Sequence, residues 1–123
     1  MILQGDFYTI RNLQAADAVI TAELDLNAGH KIYEGHFPGQ PVTPGVCMMQ
    51  MIKEILEDVL GKETNLVSAA ELKFLAVINP QENNLIHASI NYATDESGNI
   101  NITASLFKDE LVHFKCKAQL VVA

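Results

Sequence analysis

The chain has 123 residues, 49% of them apolar, which suits one domain over residues 1–123 and excludes a disordered polymer. Its formal net charge of -7 is spread along the length, so its surface repels phosphate backbones and nucleic acid is not an expected partner. No run approaches the roughly 18 consecutive apolar residues of a membrane span, and Met1 to Asn12 lack a cationic start followed by an apolar run, so neither a span nor a secretory leader is expected.

In chain order, the first clear element is Ala18 to Asn27, where Ala18, Ile20, Ala22, Leu24 and Leu26 alternate with polar neighbours. A period of two marks a half-buried strand. A helix follows from about Pro44-Gly45 to Leu60. Proline suits a first helical turn because its missing N–H would have no partner there, and Gly61 beside Lys62 suits the stop. The first half of this helix (Val46, Cys47, Met48, Met49, Met51, Ile52) is apolar on nearly every side, which predicts a helix wrapped by sheet. Lys53, Glu54, Glu57 and Asp58 predict a wet face on the second half. Asn65 to Ile78 reads as a longer extended run. Asn84–Tyr92, Asn99–Leu106 and Val112–Val122 alternate again, with turn chemistry at Asn79–Asn84, Thr94–Asn99 and Lys108–Glu110. One buried helix with five or six antiparallel strands is an α+β domain, and the short turns predict a meander. His30, His87 and His113 are expected at the surface, the methionines in the core, and Cys47 and Cys116 as buried reduced thiols of a cytoplasmic protein.

Between the first strands and the helix lies Tyr33-Glu34-Gly35-His36-Phe37-Pro38-Gly39-Gln40-Pro41-Val42-Thr43-Pro44-Gly45-Val46. So many prolines and glycines prescribe an irregular, rigid path. An imidazole held in it titrates near neutrality and can take or give a proton. The helix start just beyond offers N–H groups and partial positive charge to a carbonyl gaining negative charge.

The stretch Gly-His-Phe-Pro-Gly-x-Pro-Val-x-Pro-Gly-Val resembles the signature of the hot-dog-fold 3-hydroxyacyl-acyl-carrier-protein dehydratases. Leu72-Lys73-Phe74-Leu75-Ala76-Val77-Ile78-Asn79-Pro80 with Leu85 is similar to the same family's next strand, so the likeness runs from about Asp25 to Leu85. The resemblance implies a sheet wrapped round the central helix, a homodimer or an assembly of dimers, and an acyl tunnel at the dimer interface. It implies His36 as the base at C2 of the thioester, the amide of Gly45 or Val46 as the carbonyl's hydrogen-bond donor, and Phe37 and Tyr33 as tunnel lining. The partner would be acyl carrier protein bearing a 3-hydroxyacyl group, with no metal or organic cofactor.

At the position of the family's acid, supplied across the dimer, this chain carries Gln50. An amide donates and accepts hydrogen bonds but delivers no proton. Glu54, one helical turn on, and Glu34, near His36, are the other carboxylates to weigh. Three functions follow. The first is dehydration to the 2-enoyl thioester in fatty-acid or polyketide-like synthesis. The second is an impaired or non-catalytic subunit paired as a heterodimer with an active homologue. The third is a thioesterase.

Overall fold

Alternation of branched apolar and polar residues builds the middle of a sheet, and the sheet's concave side takes the one long apolar helix. The computed structural model describes residues 2–34 and 41–123. Its strands are β1 (Tyr8–Ala16), β2 (Val19–Leu26), β3 (Thr64–Phe74), β4 (Leu85–Thr94), β5 (Asn99–Lys108) and β6 (Leu111–Val122). A 3-10 turn (Lys31–Glu34) and helix α1 (Gly45–Leu60) stand between β2 and β3. Among the described residues these six strands pair antiparallel, in the order β1-β2-β4-β5-β6-β3. This is the expected α+β hot-dog architecture.

The inward sets of β2, β4 and β5 follow the alternation: Ile20, Leu24, Ile86, Ile90, Ile102 and Leu106 are buried beneath α1. On α1, Cys47, Met48, Met51, Ile52, Ile55 and Leu56 face them, and Gly61 ends the helix in a left-handed conformation (φ 68) with its N–H on the Glu57 carbonyl. Glycine takes that conformation without steric cost. The expected turn at residues 94–99 closes on Asp95, whose side chain accepts the N–H groups of Ser97 and Asn99. These bonds hold its carboxyl below the usual range.

Three expectations require correction. The sheet is not a simple meander: β4-β5-β6 is one, but β3 leaves α1 for the far edge beside β6, while β4 pairs with β2. The sheet of one chain does not enclose the helix start, because Val46 is 68% exposed and Met49 only partly covered. The second half of α1 is also drier than its charges suggest. Glu54 is 6% exposed, Lys53 pairs with Glu57 at 3.4 Å, and Glu57 accepts the Thr64 N–H at 2.6 Å.

Among the described residues nothing pairs with the outer edge of β3. The strand pairs only with β6, through two register irregularities, and Leu66, Val67, Leu72 and Phe74 are exposed along it, continuing into Leu75 and Val77.

Candidate active site

The start of α1 is where chain geometry and chemistry meet. Pro44 is extended (φ -62, ψ 145) and its carbonyl accepts the N–H of Cys47 (3.0 Å) and Met48 (3.2 Å). The first N–H groups of any helix have no acceptor within it, and no side chain among the described residues caps this one. Those amides and the aligned peptide dipoles favour negative charge at the helix end. The approach is tied to the end of β3 by the Thr43 N–H on the Ile78 carbonyl (2.9 Å).

Beside this helix start runs an apolar groove of about 410 Å³, with Val42, Gly45 and Met48 on one wall and residues 74–77 on the other. Position 45 must be small: a Cβ built there would lie 2.7 Å from the Phe74 ring. That ring stacks on Phe114 (centroids 5.0 Å apart, 29°). The residues after Phe74 are held by His113, whose carbonyl accepts the Leu75 N–H (2.9 Å) and whose Nδ1 lies 3.2 Å from the Ala76 carbonyl. A carbonyl only accepts, so Nδ1 carries the proton, and Nε2 is buried with no partner among the described residues. His113 is 2% exposed, which corrects its expected surface position. The register shift between Leu106 and Phe107 skips it, so His113 and Phe114 both turn inward. The other two histidines are also less exposed than expected. His30 packs edge-on against Phe7 and reaches Asp6 (3.0 Å), and half-buried His87 stacks on Phe107.

Of the residues singled out from sequence, Gly45 lines the groove and Val46 projects beside it into the open. His36 and Phe37 lie outside the described residues. Tyr33 is buried, stacked on Phe7, with its hydroxyl 3.0 Å from Thr43 Oγ1; burial pushes its phenol up to about 12. It opens on a neighbouring cleft with His30, Glu34 and Pro41, and it meets the groove only through Thr43, which lines the groove. Gln50 is not among the residues that line the groove of its own chain.

Gln50 is instead joined to Glu54, the larger surprise of the helix. Its Nε2 donates to Glu54 Oε2 at 2.8 Å. The same carboxylate accepts the N–H of Leu3 (2.8 Å), the N–H of Gln4 (2.8 Å) and the Tyr8 hydroxyl (3.1 Å). These contacts engage both oxygens of Glu54 and tie the N-terminal segment to α1. Burial first, then the charge of Glu54, pushes the Tyr8 phenol well up. Cys47 and Cys116 are free and buried; burial raises both thiols, Cys116 to about 11.

Sequence reasoning passed over Thr43, His113 and the 74–77 wall. The wall had a signal, an apolar run from Phe74 to Ile78 that breaks the strand alternation.

A family model described as ApeI-like, ApeI dehydratase, matches residues 12–117. The chain belongs to the ApeI-like dehydratase family. Among similar proteins, the 3-hydroxyacyl-acyl-carrier-protein dehydratase FabZ of Lactobacillus helveticus is 27% identical over 109 residues, or 83% of this ApeI-like chain and 70% of that protein. FabZ of Rickettsia bellii is 30% identical over 79 residues, or 58% of this chain, which spans 54% of that relative's length. The solved dehydratase heterocomplex ApeI:P from Xenorhabdus doucetiae superposes with a TM-score of 0.74 at 22% identity, covering 93% of this chain and 97% of the other. At that identity the likeness carries the fold. No helix among the described residues is long and apolar enough to cross a membrane.

Proposed function

We propose that this ApeI-like protein, a single hot-dog domain acting in the cytoplasm, dehydrates 3-hydroxyacyl groups on acyl carrier protein to the 2-enoyl thioester. The observation that carries this reading is the groove at the start of α1, which sets an apolar wall for an acyl chain against Gly45, the first residue of the helix, whose amide and that of Val46 next to it are the donors for a thioester oxygen. His36, nine residues before Gly45, takes the C2 proton while the amides hold the carbonyl oxygen as enolate character develops. Gln50 has no proton to give. The proton taken by His36 therefore passes to the C3 hydroxyl, the C3–O bond breaks and water leaves, with Gln50 orienting the hydroxyl. Phe37 is assigned a contact with the acyl chain, and Tyr33 supports the groove through Thr43.

Among the described residues Gln50 does not line the groove of its own chain, and this supports a site built from two chains. The outer β3 edge and the exposed Phe74, Leu75, Val77 and Val46 form the surface on which a second copy would sit. The heterocomplex described for the Xenorhabdus neighbour supports a second reading, in which this chain pairs with an acid-bearing homologue and lends it His36. Carrier-protein docking calls on cations that are partly spent here, since Arg11 pairs with Asp25 (3.0 Å) and Lys73 with Glu71 (3.3 Å).

Mass spectrometry of a 3-hydroxyacyl-carrier protein incubated with the purified chain tests the reaction. Loss of one water to give the 2-enoyl form is expected. An unchanged substrate from the lone chain, with turnover regained on adding a homologue in a 1:1 native complex, would replace the first reading by the second. Release of free acid with no enoyl form would mean thioesterase chemistry and reject both.

A further inference from the structure

Glu54 is the most heavily engaged buried carboxylate among the described residues, and the proposed reaction gives it no chemical step. Four donors converge on it: two consecutive backbone N–H groups at Leu3 and Gln4, the Tyr8 hydroxyl at the start of β1, and the Gln50 amide one turn back on α1. It is 6% exposed. A purely structural anchor for the N-terminal segment would need only the first three.

The fourth bond has a directional consequence. A glutamine amide is a donor at one end and an acceptor at the other, and nothing in its own geometry selects which end faces a neighbour. A carboxylate accepts only, so Glu54 selects the Nε2 end. Gln50 then makes its other contacts through its carbonyl oxygen and its second N–H, in one orientation. We propose that Glu54 is a positioning residue for the dehydration site: it sets the orientation of the Gln50 amide, and it is the physical reason that position 50 carries an amide in place of an acid. The proposal rests on the dehydratase reading for the role of Gln50, while the contact itself does not.

The second half of the proposal follows from charge. A carboxyl at position 50 would lie within hydrogen-bond distance of a buried carboxylate that already serves three other donors. Two carboxylates so close cannot both ionise without strong repulsion; they share a proton and one titrates far above the ordinary range. The other titratable groups around the pair offer no relief. Tyr8 on β1 is a neutral phenol, Cys47 on α1 is a buried thiol whose ionisation Glu54 opposes, and Glu57 and Asp58 add further negative charge toward Tyr8. Lys53 is engaged with Glu57.

The test uses the full chain in four forms: parent, Glu54→Gln, Gln50→Glu, and the reversed pair Gln50→Glu/Glu54→Gln. In dehydration assays, Glu54→Gln is expected to lower kcat at least tenfold with KM nearly unchanged, because the amide at position 50 loses its fixed orientation. The reversed pair, again one carboxyl and one amide, is expected to recover that loss. Gln50→Glu alone is expected to show a kcat–pH profile with an added step above the ordinary carboxyl range, absent from the reversed pair. In thermal unfolding between about pH 4 and pH 8, the introduced carboxyl has a raised folded pKa, so its contribution is present at low pH and lost as pH rises. Gln50→Glu should therefore lose stability with rising pH faster than the parent. Parallel unfolding profiles for Gln50→Glu and the parent would overturn the contact. An active parent whose kcat, KM and pH profile survive Glu54→Gln would overturn the positioning role. If Glu54→Gln does not fold, the comparison of Gln50→Glu with the parent still decides. A parent that makes no enoyl product at all would sink the reaction reading and the catalytic role with it, while the unfolding profiles still report on the pair.

Discussion

At position 45 a Cβ would come to 2.7 Å from Cε1 of Phe74, a ring that itself rests on Phe114. Glycine is therefore required there by space, since the residue begins a right-handed helix and needs no unusual backbone angle. Gly45→Ala is expected to push the Phe74 ring away from the helix start and misplace the acyl wall relative to the first amides. Displacements of this size cost on the order of 10²-fold in kcat/KM, and a steady-state assay alongside circular dichroism would show the loss with the helix retained. Tyr33 makes a milder case. Its hydroxyl meets Thr43 Oγ1 at 3.0 Å in a buried position, and Tyr33→Phe should cost about 1 kcal/mol of stability by leaving the buried Thr43 hydroxyl without this partner, measured as a fall in urea midpoint at unchanged slope.

Among the elements, β3 is the one whose surroundings within a single chain do not explain its composition. Leu66, Val67, Leu72 and Phe74 are exposed along an edge strand, and soluble proteins blunt such edges unless another chain covers them. If a second copy covers this edge as proposed, replacing Leu72 and Val67 by lysine should give a folded chain of half the parent's mass in light scattering with little or no dehydration. A variant that keeps the native mass would move the interface elsewhere.

The same scale shows what could be read from sequence and why. β2, β4 and β5 were legible because each is half-buried, so period-two alternation is imposed by one wet and one dry face. α1 was legible at both ends, in Pro44 and Gly61, where backbone geometry selects the residue. β1 was not: it is an edge strand, mostly exposed, with a register break between Arg11 and Gln14 that erases the alternation. The place of β3 beside β6 was hidden because strand order depends on pairing between distant parts of the chain. His113 was misread for a local reason, one bulged residue that shifts the inward set. Glu54 was misread because its partners Leu3 and Gln4 come from the far end of the sequence, which helical periodicity alone cannot supply. Of the site, the motif carries the proposed chemistry, while the 74–77 wall and the coupling of Gln50 to Glu54 needed the fold.

The molecule as a whole keeps its reactive thiols and phenols in their neutral forms by burying them. Cys47, Cys116, Tyr8 and Tyr33 are all shifted upward, with burial the leading cause at each. Folded pKa values above the unfolded ones, 9.0 for the thiols and 10.0 for the phenols, mean that the folded state binds these protons more tightly. Their stabilisation is complete below about pH 9 and is lost as pH rises through the thiol and phenol range toward 11 and 12. Urea unfolding should thus be level from pH 7 to 8 and weaken progressively above pH 9, and a level profile to pH 11 would contradict the burial of these groups.

At this scale the chain presents a family signature at one helix end, an apolar groove beside it and an exposed apolar strand edge, and in the proposed function all three serve a reaction that turns on His36. The decisive measurement is the rate of 2-enoyl formation from a 3-hydroxyacyl-carrier protein by the parent chain and by His36→Ala, under conditions where both have the same native mass. The account predicts turnover by the parent and a loss on the order of 10²–10⁴-fold in the variant. Equal rates for the two would contradict it.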